Sequence, residues 1–139
     1  MRGVTHKGKE LANCYGIGRL DLKANDIVLE VGANSGDLLI YLSDLNIPLT
    51  VHCFEPDPIA FEPLQLNCDT VDGAVAVNKA LGNTCGTAVL FLSTLGGDSS
   101  LSEPENYDKE VSVDSITLDS YLEQQSSIAS DAEIKLLKL

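Results

Sequence analysis

Ile27-Val28-Leu29-Glu30-Val31-Gly32-Ala33-Asn34-Ser35-Gly36-Asp37 is the stretch on which the fold of this chain turns. Its first five residues form a β-rich run of the kind buried on both faces of a parallel sheet. Gly32 to Gly36 read as a turn, and Asp37 opens a helix with Leu38, Leu39, Leu42 and Leu45 along one side. Asn34 or Ser35 is placed to cap that helix, and Asp37 complements its positive end. Asn46-Ile47-Pro48 ends it.

The same rhythm continues downstream. Leu49 to Phe54 is a second short strand, closed by Glu55-Pro56, and Asp57-Pro58 is a cap followed by proline at the first helical position. The next helix runs towards Leu64, Leu66 and Cys68, with Pro63 predicting a kink or a delayed start. Ala74 to Leu81 reads as a third strand and its exit. Strands and helices alternating at this spacing mean right-handed βαβ units. After Gly82 the pattern changes: Thr87–Ser93 and Glu110–Thr117 are strands separated by a polar stretch, which predicts an antiparallel insertion with a long loop. Leu118 to Leu122 reads as a short helix, and Glu133 to Leu139 begins a fourth parallel strand. Residues 1–24 are polar and read as a leader with one short helix around Lys9–Tyr15 and a flexible Gly16-Ile17-Gly18 turn. The expected fold is therefore α/β, a doubly wound parallel sheet over residues 25–139, with an antiparallel insertion and a fourth strand cut by the end of the chain.

Composition narrows the function classes. The chain has 139 residues, 44% of them hydrophobic, which is one domain with a real core. No uninterrupted apolar run is longer than the five residues of Leu38–Leu42, so no membrane insertion is expected, and the N-terminus lacks the apolar segment of a secretory signal. A soluble, cytoplasmic protein is the expectation. Residues 1–25 hold five basic and two acidic side chains, while residues 26–139 hold four basic and nineteen acidic. A body this acidic repels phosphate backbones and argues against a nucleic-acid partner. Cys14, Cys53, Cys68 and Cys85 show no metal-ligand spacing, and adjacent His52 and Cys53 in a strand point to opposite faces. Free thiols and no metal are expected.

Glu30-x-Gly32-x-x-x-Gly36 between a strand and a helix is a nucleotide-cofactor loop. It lacks the Gly-Lys-Ser/Thr of a P-loop and the glycine spacing of the dinucleotide fingerprint. Pyrophosphate would be repelled by Glu30 and Asp37, whereas the ammonium and sulfonium of S-adenosyl-L-methionine suit them. Glu55, at the end of the second strand, is placed to accept hydrogen bonds from vicinal ribose hydroxyls. Its plain alternative is a solvated loop carboxylate.

Taken in order, these segments resemble FkbM-type methyltransferases. Val28 to Asp37 is similar to that family's first motif, in which Gly-Ala-Asn-x-Gly is typical. Phe54-Glu55-Pro56-Asp57-Pro58 is similar to its second-strand motif, and Leu64 to Asn67 to its Leu-x-x-Asn helix. Asn78-Lys79-Ala80-Leu81-Gly82, Asp98-Ser99-Ser100-Leu101, Val113 to Asp119 and Ile134 to Leu139 also match. The family pattern continues past the last strand with an acidic residue and then Glu-Gly, which lie beyond residue 139.

The resemblance implies a class I methyltransferase, Rossmann-like sheet and S-adenosylmethionine-dependent O-methylation of a small-molecule or glycan hydroxyl. Glu30 with the Gly32, Ala33, Asn34 and Gly36 loop would hold the methionyl end. Glu55, with Pro56 beside it, would hold the ribose, and Ala80 and Leu81 would flank the adenine. Asp98, Ser99 and Ser100 are substrate-side candidates or, equally, a capped polar turn. In-line displacement at a sulfonium methyl draws roughly 7–11 kcal/mol from positioning, so a general base is not obligatory, and the sequence names none. A nicotinamide oxidoreductase and a non-catalytic protein that keeps the fold are the alternatives. The expected cut in the fourth strand further implies that residues 1–139 alone would not turn over the cofactor.

Overall fold

The computed structural model describes residues 6–93, 99–102, 104–126, 128 and 132–139. Four parallel strands form the main sheet: β1 (Ile27–Val31), β2 (Thr50–Phe54), β3 (Ala74–Val77) and β7 (Ile134–Lys138), in the order β3-β2-β1-β7. A three-stranded sheet holds β4 (Ala80–Leu81), β6 (Lys109–Ile116) and β5 (Gly86–Leu92), with β5 antiparallel and β4 parallel to β6. The helices are α1 (His6–Cys14), α2 (Asp37–Ser43), α3 (Pro58–Cys68) and α4 (Leu118–Gln124). The chain winds outward from β1 through β2 to β3 and then returns to the other side of β1 as β7. That reversal is the switch point of a doubly wound sheet, and ligands of such sheets bind at the carboxyl ends of the strands beside it.

Alternation along the strands sorts the core into two faces. Val28, Val51 and Cys53 join Leu38, Leu39, Leu42 and Leu64 of α2 and α3 in the larger cluster. Phe54 faces the other way and packs with Ile116 and Tyr121. His52 shares that second face. Its Nδ1 lies 2.6 Å from the Tyr121 hydroxyl, whereas its Nε2 has no hydrogen-bond partner among the described residues. His52 and Cys53 thus point to opposite faces, as the strand reading requires.

The third strand ends at Val77, and its exit, Ala80–Leu81, joins the second sheet against Ser115 and Ile116. Asn78 is at the break, where its amide donates to the Glu55 carbonyl at 2.8 Å. Several local expectations are corrected. Neither Asn34 nor Ser35 caps α2. The N-cap is Gly36, at φ +89°, with no side-chain cap, and the Asn34 side chain instead accepts from the Ser35 amide. A Cβ on Gly36 would meet Leu64 at 3.0 Å in a backbone conformation that side chains disfavour. Pro63 does not delay α3, which starts at Pro58 with the Asp57 side chain accepting from the Ile59 amide at 2.9 Å. The carbonyl that Pro63 leaves without its helical donor belongs to the strongly exposed Ile59. The leader is not apart from the domain: Ala12, Ile17 and Leu22 are buried in the larger cluster, and Gly16-Ile17-Gly18 leads into a short 3₁₀ turn, Ile17–Arg19.

Tyr121→Phe keeps the ring packing on Phe54 but strips His52 of its partner. An unsatisfied buried polar group costs about 1–3 kcal/mol, so urea denaturation should show a loss of that size. A loss below about 0.5 kcal/mol would show that the hydroxyl contact carries no stability.

Candidate functional site

A cavity of about 590 Å³ opens at the carboxyl ends of β1, β2 and β7, within the size range of small-ligand sites. Its floor comes from the segment after β1. Gly32 is at φ +66° and Asn34 at φ +51°, so the backbone curls after the strand. The Ala33 amide donates to the Phe54 carbonyl at 2.9 Å, lacing the curl to the end of β2. Asn67 of α3 donates to the Ser35 carbonyl at 2.7 Å and fixes the curl from behind.

Glu55 is the first residue past β2 and is buried. One of its carboxylate oxygens accepts from the Asn34 amide at 2.8 Å, the other from the Asp57 amide at 2.9 Å. Burial pushes its pKa above the ordinary carboxylate value, and these amide bonds oppose that rise. An ionised carboxylate has about four acceptor directions, so each oxygen keeps one for a ligand.

Glu30 sits one strand over, 1% exposed. In the parallel register Lys138 and Cys53 are its neighbours on β7 and β2. The Lys138 ammonium lies 3.9 Å from the carboxylate and donates to the carbonyls of Val31 and Gly32, each at 2.9 Å. The Cys53 thiol donates to the other carboxylate oxygen at 3.8 Å. Burial raises Glu30 to about 7, against the opposing pull of Lys138. Lys138 also stands 5.7 Å from the centre of the Tyr15 ring.

Of the residues singled out from sequence, Glu30, Gly32, Ala33, Asn34, Glu55 and Pro56 all line this cavity, and so does Ser99. Gly36 supports the floor from below, as the cap of α2. Ala80 and Leu81 are outside the lining; Ala80 is buried in a cluster with Leu90, which does line it. Ser100 pairs with Phe91 through both backbone groups, and Asp98 lies outside the described residues. Sequence reasoning missed Lys138, Lys7 and Leu11. A signal for Lys138 existed, because a glutamate within the buried run Ile27–Val31 asks for a cation and the last strand carries two lysines, Lys135 and Lys138. Lys7, which pairs with Asp37 at 3.7 Å, had no local signal, since only the packing of α1 on α2 brings it there.

The site thus belongs to an α/β protein of Rossmann-like topology with its ligand cavity at the switch point. Two curated proteins are similar in sequence. The 31-O-demethyl-FK506 methyltransferase FkbM of Streptomyces tacrolimicus is 37% identical over 54 residues, covering 39% of this chain and 21% of that protein. Methyltransferase sdnD of Sordaria araneosa is 30% identical over 101 residues, covering 70% of this chain and 38% of that protein. The chain therefore spans less than two fifths of either relative. No family model and no solved structure matches it.

A carboxylate held near 7 ties stability to pH. Glu30 is protonated more readily folded than unfolded, so its contribution is complete below 4.5 and is lost as pH rises through 7. The stability of the wild type relative to Glu30→Gln should therefore fall between pH 5 and 8, by about 3 kcal/mol at most. Lys138→Met should deepen that loss, because the remaining positive neighbour is gone. A difference that does not vary with pH, measured by chemical denaturation, would show Glu30 to be an ordinary carboxylate.

Proposed function

We propose that the chain forms the cofactor-binding part of an S-adenosylmethionine-dependent O-methyltransferase whose acceptor is a hydroxyl of a neutral small molecule or glycan. The supporting observation is the pair of buried carboxylates, Glu30 and Glu55, at the ends of neighbouring strands on one cavity. Among the described residues the lining carries four carboxylates, Glu30, Asp37, Glu55 and Asp57, against two lysines, Lys7 and Lys138. That balance repels a pyrophosphate and suits a ligand with ammonium and sulfonium charges. The similarity to two proteins named as methyltransferases supports the same class.

The residues present fit the ligand. Glu55 keeps one acceptor direction on each oxygen, the arrangement that two vicinal ribose hydroxyls require. Its amide partners fix the carboxylate before the ligand arrives, which lowers the entropy cost of binding. Among the described residues, its chain neighbours apart, a Cβ on Gly32 would meet no atom within 4 Å, so the backbone there lies open to close approach. Ile59, Ala60 and Leu90 add apolar lining, and Ala80 stands behind Leu90 on the adenine side of this reading. Glu30 and the Gly32–Gly36 backbone hold the amino-acid end. Ser99 is on the rim as a substrate-side group, with Ser100 holding that segment to Phe91.

When bound, S-adenosylmethionine supplies an electrophilic methyl on its sulfonium. The contribution of this chain is to hold that group in line with an incoming hydroxyl and to keep water from it, which is where most of the rate of such a displacement comes from. Acceptor choice follows charge: the acidic body disfavours polyanions, while a neutral hydroxyl compound meets no such barrier.

Charge-assisted hydrogen bonds are worth about 1.5–3 kcal/mol, so Glu55→Ala should weaken S-adenosylmethionine binding roughly 10- to 100-fold in calorimetry. Unchanged affinity in a folded Glu55→Ala protein would remove the ribose assignment. Binding of NADH in place of S-adenosylmethionine would overturn the cofactor class.

A further inference from the structure

Lys138 has a place in the cavity that its own strand does not require. Its side chain is 9% exposed, and its ammonium donates to the Val31 and Gly32 carbonyls and forms an ion pair with the Glu30 carboxylate at 3.9 Å. An ammonium has three donors and no acceptor, so two carbonyls and a nearby carboxylate are the partners it calls for. The acceptors come from β1 and the curl after it, while the lysine arrives from the neighbouring strand, β7. Glu30, Val31, Gly32 and Lys138 all line the cavity. The other lysine of the lining, Lys7, is beside Asp37 with 58% of its side chain exposed and takes no part in this cluster.

We infer that Lys138 fills from within the place, at the Glu30 carboxylate and the Val31 and Gly32 carbonyls, where the amino-acid end of the proposed ligand would sit, and that the ligand's amino group must displace it. The inference rests on the cofactor class proposed above and goes further by naming a resident competitor for its amino group. The acceptors select for a primary ammonium by geometry, since the group that satisfies them now is one. A ligand ammonium makes the same two carbonyl bonds and the same ion pair, and forces Lys138 to give them up. The lysine therefore weakens binding of ligands that carry an ammonium and leaves those without one unaffected.

The test is calorimetric binding of S-adenosylhomocysteine, which carries an ammonium, and of adenosine, which does not, to the wild-type chain, Lys138→Met and Lys138→Arg. Lys138→Met should bind S-adenosylhomocysteine about tenfold more tightly and adenosine within about twofold of the wild type. Lys138→Arg, which keeps the positive charge, should not show the gain. A second measurement uses the wild type alone: acetylation of Lys138 by acetic anhydride, read by mass spectrometry, should speed up when S-adenosylhomocysteine saturates the site. This second measurement decides if Lys138→Met does not melt cooperatively. Weaker or unchanged S-adenosylhomocysteine binding in folded Lys138→Met, or slower acetylation with ligand, would overturn the inference and leave the cofactor class standing. Failure of the folded wild type to bind either compound would instead overturn the cofactor class and the inference with it.

Discussion

A carboxylate that is 1% exposed in the middle of a parallel sheet sets the terms for everything around it. Glu30 cannot be left alone there, because removing a charge from water without a partner costs several kcal/mol. Its answer is a row across the sheet: Lys138 on one side and Cys53 on the other, each at the matching register. The row is possible only if β7 returns beside β1 rather than beyond β3. The chemical need of one side chain and the doubly wound strand order therefore coincide. By drawing the Val31 and Gly32 carbonyls inward, the same lysine also shapes the floor of the cavity.

The first half of the fold was legible because its signals are local. β-rich runs, glycine turns and a proline at the first helical position gave β1, α2, β2 and α3 in order, and β1 and the start of α2 with their observed boundaries. What was not legible depended on contacts between distant segments. The cap of α2 went to Gly36 because Asn34 was drawn into the turn, where its amide serves Glu55 and its side chain serves Ser35. The run from Ala74 to Leu81 read as one strand and its exit, but the exit pairs in a second sheet, with Asn78 at the break spending its side chain on the Glu55 carbonyl. For the site, the residues after β1 and β2 were readable because strand ends before helices are where such sheets bind ligands. The cations were not, since Lys7 and Lys138 come from opposite ends of the chain.

Charge placement acquires a structural meaning once α1 is in position. Residues 1–25 are net positive in a chain whose formal charge is −12. Helix α1 packs on α2 and brings Lys7 to Asp37 at the cavity edge. An exposed pair of this kind contributes little stability, about 0–1 kcal/mol. Its effect is better described as local neutralisation of an acidic rim, acting within the roughly 8–10 Å over which charges are felt in physiological salt. Leu11 on the same helix adds apolar lining, so the segment that looked like a leader in sequence serves as a wall.

Strand β2 carries the other side of this electrostatic design on its opposite face. His52 is buried, which holds its pKa below the ordinary 6.5. As pH falls below 6.5 the unfolded chain takes up a proton that the folded chain resists, and stability declines. Glu30 acts with the opposite sign. Between 7 and 4.5 it is the folded chain that takes up the proton, and stability rises as pH falls. Each group changes stability by at most about 1.4 kcal/mol per pH unit, so where the two windows overlap the slopes oppose one another. Two buried titratable groups on opposite faces of one sheet thus buffer the fold against mild acid, while above 7 the ionised Glu30 is left with Lys138 as its compensating charge. The cavity pays for its buried carboxylate on the alkaline side, where the ionised form that suits a cationic ligand is present.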